Sequence, residues 1–244
     1  MKRARRRFGQ GCLALFATFA ARRALLATAD EARTAYPSVL LVDADGRPLK
    51  TSGLRVGETY VFHYPYVTTP CFLIDLGEAA VEAVALETRD GERYVWRGGV
   101  GPRRSVVAYS AICTHRMTHP DPAVSFITYR DGETRFRGAD ERPTTRSQVI
   151  YCCSEQSVYD ARSGARVLGG PAPEPLATIV LNYDERADTL HAVGTRGAVL
   201  FKRFFEAFAF RLSLDYGVRE VDRLVEGRSR VLPLSRYSRN AVMC

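Results

Sequence analysis

The 244-residue chain has no glycine-rich phosphate loop and no regular alternation of strands with helical segments. These absences exclude the doubly wound nucleotide-binding folds. No internal repeat is present, which argues against solenoids and propellers. Histidine is scarce, with four residues, and the six cysteines lack the spacing of a disulfide scaffold. The apolar run near the N-terminus is shorter than the roughly 20 residues that span a bilayer.

The formal charge of +8 is unevenly distributed along the chain. Residues 1–29 carry seven basic and no acidic side chains, and residues 202–244 carry nine basic and five acidic ones. The stretch between them, 30–201, has a net charge of −3. A nucleic-acid-binding domain would place basic residues on its folded core, so this distribution predicts no nucleic-acid partner. Basic ends that also carry apolar residues favour an anionic membrane surface.

Residues 1–29 predict an export signal or a membrane anchor. Segment 5–8, Arg-Arg-Arg-Phe, resembles the twin-arginine motif, and an apolar run follows at 12–21. Arg22 and Arg23 interrupt the apolar pattern, so a basic amphipathic helix on a membrane or a partner is the alternative. We expect a membrane-associated protein on the periplasmic, exported side of a bacterial inner membrane.

Residues 38–196 predict an all-β domain. About ten short runs rich in β-branched and aromatic residues stand between turn signals, and this spacing is typical of an antiparallel sandwich or barrel. The clearest hairpin signal is Arg89-Asp90-Gly91. The polar segment 131–147 is predicted to be a surface insertion.

Residues 198–244 predict a basic amphipathic helix followed by a tail. Apolar residues at helical spacing predict one helix over 198–214 that ends near Gly217. Packing on the core and an interfacial position at a membrane are both open for this helix. The tail, 227–244, has four arginines and few apolar clusters, so we expect it to be loosely ordered or to order on a partner.

Three loops are predicted to enclose one small site. Cys113-Thr114-His115 follows one predicted strand, and Cys152-Cys153 follows another. Cysteines clustered with a histidine are typical of soft metal ligands. The third segment, 169–175, combines glycines, which allow close approach, with prolines, which fix the backbone. Such a loop could wall off a cofactor from water.

Over roughly residues 95–195 these loops resemble the Rieske iron–sulfur proteins. In that family a Cys-x-His loop and a Cys-x-x-His loop hold a [2Fe–2S] cluster, with two cysteines on one iron and two histidines on the other. Within loop 113–119, residues 113–115 match the first loop. Within 152–160, residues 157–160 match the tail of the second, and within 169–175, residues 170–173 match the Gly-Pro-Ala-Pro loop that covers the cluster. The resemblance implies a Rieske-like β sandwich or barrel with a cluster-binding subdomain and helical segments at both ends.

The pattern departs from the family at the second histidine. Alignment without a gap puts Glu155 there, and a one-residue deletion puts Gln156 there. Cys153 and His119 are further candidates for the fourth ligand. The ligands that the resemblance implies are Cys113, His115, Cys152 and Glu155. The surrounding residues that it implies are Ser157, Tyr159, Gly170, Pro171 and Pro173.

A carboxylate ligand would change the redox properties of the site. Its negative charge favours the ferric state, so we expect a reduction potential below that of members with two histidines, which lies at about −150 to +300 mV.

The disulfide that joins the two ligand loops in many members is absent, because Thr118 and Ser154 occupy its positions.

The resemblance implies an electron carrier or an oxidoreductase subunit rather than an enzyme by itself. It would pass single electrons between a donor and an acceptor, with a quinol oxidase, a cytochrome or an oxidoreductase subunit as partner. A ring-hydroxylating oxygenase is excluded, because it needs a second catalytic domain with a two-histidine, one-carboxylate iron site. This chain has four histidines in all and little length after residue 200. The alternative is a structural or interaction subunit of Rieske fold that has lost the cluster.

Overall fold

The computed structural model describes residues 33–244, so the predicted signal or anchor at 1–29 lies outside the described residues. The described part of the chain forms eighteen strands and two α-helices. The strands are β1 Thr34–Val42, β2 Tyr60–His63, β3 Pro70–Asp75, β4 Val84–Glu87, β5 Arg93–Trp96, β6 Val106–Ser110, β7 Val124–Ser125, β8 Ile127–Arg130, β9 Thr134–Arg137, β10 Pro143–Arg146, β11 Val149–Cys152, β12 Ser157–Asp160, β13 Arg166–Gly169, β14 Thr178–Asp184, β15 Thr189–Arg196, β16 Arg228–Arg230, β17 Leu232–Pro233 and β18 Asn240–Ala241. The helices are α1 Phe201–Tyr216 and α2 Leu234–Tyr237, and a 3-10 turn spans Thr51–Gly53.

Eight strands form the main sheet, in the order β16-β1-β15-β14-β6-β3-β2-β17. Neighbours are antiparallel except β1 and β16, which are parallel. Every residue of β3 is buried, because this strand lies in the middle of the sheet and packs on both faces. The predicted all-β fold class is confirmed, and the hairpin signal at Arg89-Asp90-Gly91 joins β4 to β5.

The tail closes the main sheet, so the expectation of a loosely ordered tail is wrong. β16 pairs with β1 at one edge and β17 pairs with β2 at the other, and Val231 alone connects them. The backbone amide of Val231 donates to the carbonyl of Val42 at 2.8 Å, and its side chain is buried. The two short strands cover part of each sheet edge, and a covered edge is less available for pairing with other chains.

A second sheet of four strands, β13-β12-β11-β8, carries two of the predicted loops. Its apolar cluster includes Phe136, Val149, Tyr151 and Val158. Phe136 comes from the polar segment 131–147, which forms the hairpin β9–β10 and is mostly exposed. No residue of β10 is buried, and its sequence, Pro-Thr-Thr-Arg, has no alternation of apolar and polar residues that would predict a strand.

Helix α1 begins three residues later and ends two residues later than predicted. Gly217 terminates it with φ 64°, a left-handed conformation that glycine adopts without strain. Phe201, Phe204 and Leu212 are buried and pack with Ile112, which directly precedes the first ligand loop. The helix therefore packs on the domain next to the site. No helix within 33–244 is long and apolar enough to cross a membrane.

Candidate functional site

The first loop is a tight turn that follows β6. The amide of Cys113 donates to the carbonyl of Thr118, and the amide of Met117 donates to the carbonyl of Cys113, both at 2.8 Å. These bonds turn the Cys113 side chain inward, where it is fully buried. The side chain of His115 stays 25% exposed. The loop thus presents a buried sulfur and an imidazole that reaches the surface.

The second loop is a four-residue turn, 153–156, between β11 and β12. Strand pairing sets Cys152 opposite Ser157, and both are fully buried. Gln156 closes the turn with φ 58° and is exposed, whereas Glu155 is half-buried. The turn therefore directs Glu155 toward the first loop and Gln156 toward solvent, which favours the alignment without a gap.

The third loop lies directly against the second. Gly170 has φ 76°, and a Cβ atom there would lie 2.7 Å from both the carbonyl carbon of Gln156 and the Cα of Ser157. Only glycine permits this approach. The hydroxyl of Thr114 donates to the carbonyl of Glu174 at 2.8 Å, which joins the third loop to the first. Pro171 and Pro173 lie in this segment, between the two contacts.

The thiols of Cys113 and Cys152 meet between the loops. A hydrogen bond from the Cys152 thiol lowers the pKa of Cys113 to about 6, against the opposing effect of burial, and the Tyr159 hydroxyl lowers it further. The same bond to Cys113, together with burial, raises the pKa of Cys152. The Tyr159 hydroxyl lies 3.2 Å from the Cys113 sulfur and accepts a hydrogen bond from the amide of Thr114, also at 3.2 Å. A pair of cysteines in which one thiol is stabilised as the thiolate suits a thiophilic metal, because such a metal binds the deprotonated form.

His115 and Glu155 face each other at the rim of the site. His115 Nδ1 lies 3.7 Å from Glu155 Oε2, and a guanidinium nitrogen of Arg116 lies 3.7 Å from Glu155 Oε1. His115 Nδ1 and the hydroxyl oxygen of Ser157 are buried and have no hydrogen-bond partner. Within 33–244, no group of three or more His, Cys, Asp or Glu side chains is drawn together tightly enough to hold a metal ion. The donor types and the two unpartnered buried atoms fit an iron–sulfur group.

The structure separates the other candidates for the fourth ligand. Cys153 is bonded to Cys244 in a disulfide, so its sulfur is not available as a ligand in this state. His119 Nδ1 donates to the carbonyl of Met117 at 2.8 Å, and its ring packs edge-on against Phe204 and Phe208 of α1. This packing indicates that His119 helps to hold α1 against the domain.

Sequence reasoning missed the residues that hold the second loop from outside. Arg130 donates to the sulfur of Cys153 at 3.1 Å and to the carbonyl of Cys244 at 3.1 Å. Its guanidinium lies 4.1 Å from the centre of the Tyr151 ring. The disulfide joins positions 91 residues apart, and no spacing pattern in the sequence indicates that pair.

Two curated relatives are subunits of iodate reductase. The iodate reductase subunit IdrB of Denitromonas iodatirespirans is 30% identical over 151 residues, which are 62% of this chain and 62% of the relative. The iodate reductase subunit IdrB of Pseudomonas sp. (strain SCT) is 27% identical over 149 residues, which are 61% of this chain and 58% of the relative. The chain thus spans about three fifths of the length of the curated relatives it matches.

Among solved structures, the soluble domain of the Rieske protein II (soxF) from Sulfolobus acidocaldarius covers 67% of this chain and 82% of its own length. The sequence identity is 24% and the TM-score is 0.43. No protein-family model matches the chain. Three loops in the order of the Rieske pattern enclose a buried pair of thiols, and the chain is similar to iodate reductase subunits. Together these findings support a Rieske-type protein.

Proposed function

We propose that the protein is an iron–sulfur electron-transfer subunit of an oxidoreductase complex. The observation that carries this proposal is the pair of fully buried thiols, Cys113 and Cys152, with the Tyr159 hydroxyl 3.2 Å from the Cys113 sulfur. The site would hold a [2Fe–2S] cluster through Cys113, Cys152, His115 and Glu155. When bound, such a cluster accepts and releases one electron at a time.

The protein's own groups have distinct tasks in this proposal. Cys113 and Cys152 supply thiolates from a position that water does not reach, since both are fully buried. Tyr159 holds the Cys113 sulfur by a hydrogen bond, and the family resemblance implies that Ser157 and Tyr159 raise the reduction potential. His115 is a quarter exposed, so it is the ligand at which a partner protein would exchange an electron. The carboxylate of Glu155 adds negative charge and lowers the potential.

Iron and acid-labile sulfide analysis of the purified full-length protein tests the proposal, with an electron paramagnetic resonance spectrum of the reduced sample. We expect about two iron atoms per chain and a Rieske-type signal. Cys152→Ser should abolish both. Cys71→Ala is the matched control, because Cys71 is buried in β3 with its thiol near the carbonyl of Tyr64. A wild-type protein without iron would instead support a Rieske-fold interaction subunit that has lost the cluster.

The role of Glu155 needs its own experiment. Glu155→His should raise the reduction potential and change the spectrum, because an imidazole replaces a carboxylate on one iron. Glu133→His is the control, since Glu133 is exposed in the turn between β8 and β9 and makes the same change of charge. An unchanged spectrum in Glu155→His would show that Glu155 is not a ligand. A wild-type potential at the top of the range of about −150 to +300 mV would contradict the expected effect of its charge.

The redox partner and the location complete the proposal. The iodate reductase subunits that the chain is similar to support a partner that is another subunit of a reductase. The twin-arginine-like segment 5–8 supports export, and the basic ends support a membrane surface. Replacing Arg5 and Arg6 by lysine should hold the protein in the cytoplasm of a bacterial host. Equal export of this variant and wild type would refute the twin-arginine route.

A further inference from the structure

The end of the described chain runs along residues 122–125, which follow the first ligand loop and lead into β8. The amides of Arg239 and Asn240 donate to the carbonyls of Pro122 and Ala123, at 3.1 and 3.2 Å. β18 then pairs in parallel with β7, and the amide of Val242 donates to the carbonyl of Ser125 at 2.8 Å. Residues 239–242 thus run along this segment through backbone hydrogen bonds, and the chain then reaches Cys244.

The disulfide fixes this segment to the turn that carries Glu155. Cys153 is the first residue of that turn and directly follows Cys152. The Cα atoms of Cys153 and Cys244 are 5.8 Å apart, and the amide of Cys153 donates to the carbonyl of Phe126 at 2.6 Å. We name residues 239–244 together with this disulfide the strap.

Arg130 strengthens the same junction from β8. It donates to the Cys153 sulfur and the Cys244 carbonyl while its guanidinium lies over the Tyr151 ring. Its cation–π and hydrogen-bonding contacts therefore connect the strap to β11, the strand that ends at Cys152. One end of the turn is held by the strap, and the other is held by Gly170 against Gln156.

We propose that the strap positions the second ligand loop, in the absence of a disulfide between the two ligand loops. Thr118 and Ser154 cannot form that bond, so the turn 153–156 has no covalent connection to the first loop. The strap supplies a covalent connection at Cys153, next to Cys152. For cluster binding the inference rests on the proposed function, but the order of the turn can be measured in protein without a cluster.

The experiment uses the full-length protein and the variant Cys244→Ser under non-reducing conditions. Peptide mapping by mass spectrometry first shows whether Cys153 and Cys244 are joined in wild type. If no disulfide-linked peptide that contains both cysteines is found, the proposal is overturned. Hydrogen–deuterium exchange then compares peptides that cover 152–157. We expect exchange there to be at least about tenfold faster in Cys244→Ser, because local opening becomes easier. Equal exchange rates at 152–157 in wild type and Cys244→Ser would refute the proposal that the strap positions this loop.

Ser238→Ala is the matched control. Its hydroxyl donates to the carbonyl of Asp121 at 2.6 Å, so this variant weakens the tail and keeps the disulfide. Exchange should rise near 238 and stay unchanged at 152–157, and equal acceleration at 152–157 would overturn the proposal. Wild type reduced with dithiothreitol repeats the comparison without a mutation if Cys244→Ser does not fold.

Iron-loaded samples give a second readout. Cys244→Ser should shift the reduction potential and the magnetic resonance spectrum, and Ser238→Ala should leave both unchanged. An unshifted potential and spectrum in Cys244→Ser would overturn positioning of the loop. A wild-type protein without iron would refute the proposed function. The hydrogen–deuterium exchange comparison would then be the test of whether the strap positions the second loop.

Discussion

Replacing Gly170 by alanine should destabilise the protein more than its left-handed backbone alone explains. With φ 76°, an alanine there carries about 1–2 kcal/mol of backbone strain. Its Cβ would also lie 2.7 Å from the carbonyl carbon of Gln156 and the Cα of Ser157. These are backbone atoms of the second loop and cannot rotate away, so the overlap should add about 1–3 kcal/mol. We expect a total loss of about 2–5 kcal/mol in the free energy of unfolding.

Gly46→Ala is the matched control, because Gly46 has φ 82° and no atom within 4 Å of the added Cβ. It should lose only the backbone strain, about 1–2 kcal/mol. Urea unfolding followed by the fluorescence of Trp96, the only tryptophan in the chain and a buried one, measures both variants. Equal losses in the two variants would refute the close approach of the third loop to the second.

Three further outcomes are expected. Cys244→Ser should lower the free energy of unfolding by about 2–4 kcal/mol in non-reducing urea, and no change would argue that the disulfide is absent. Burial lowers the pKa of His63 from 6.5 to about 4, so its contribution to stability is complete above pH 6.5 and is lost as the pH falls toward 4. The loss is about 3 kcal/mol at most, and it should disappear in His63→Gln; an identical acid limb would contradict this assignment. Tyr159→Phe should raise the pH at which thiolate absorbance appears in cluster-free protein, because the hydrogen bond to Cys113 is removed, and an unmoved midpoint would exclude that bond.

The strands and the helix could be predicted because their side chains carry a pattern. β3 is a continuous apolar run, and α1 has phenylalanines at helical spacing. The tail could not be predicted in this way. β16, β17 and β18 are two or three residues long and pair through backbone hydrogen bonds, so their side chains show no periodicity. Their partners in β1, β2 and β7 are distant in sequence, so only the folded chain brings them together.

The site was predictable to a different degree at each position. The order of the three loops was enough to predict that Cys113 and Cys152 approach each other, and the structure places their thiols in contact. The direction of Glu155 was not predictable, because two alignments of the turn fit the sequence equally well. The turn favours the alignment without a gap, since it leaves Gln156 exposed and Glu155 half-buried beside His115. The role of Glu155 as a ligand stays a prediction.

The adjacent pair Cys152-Cys153 shows why residue type alone could not assign the site. Successive residues along an extended strand point to opposite faces, so two neighbouring cysteines at the end of β11 cannot both enter one site. Cys152 points inward to Cys113, and Cys153 points outward to Cys244. A shift of one residue in the pairing of β11 with β12 would exchange the two roles. The buried β-sheet register therefore selects which sulfur is available to a metal and which one holds the strap.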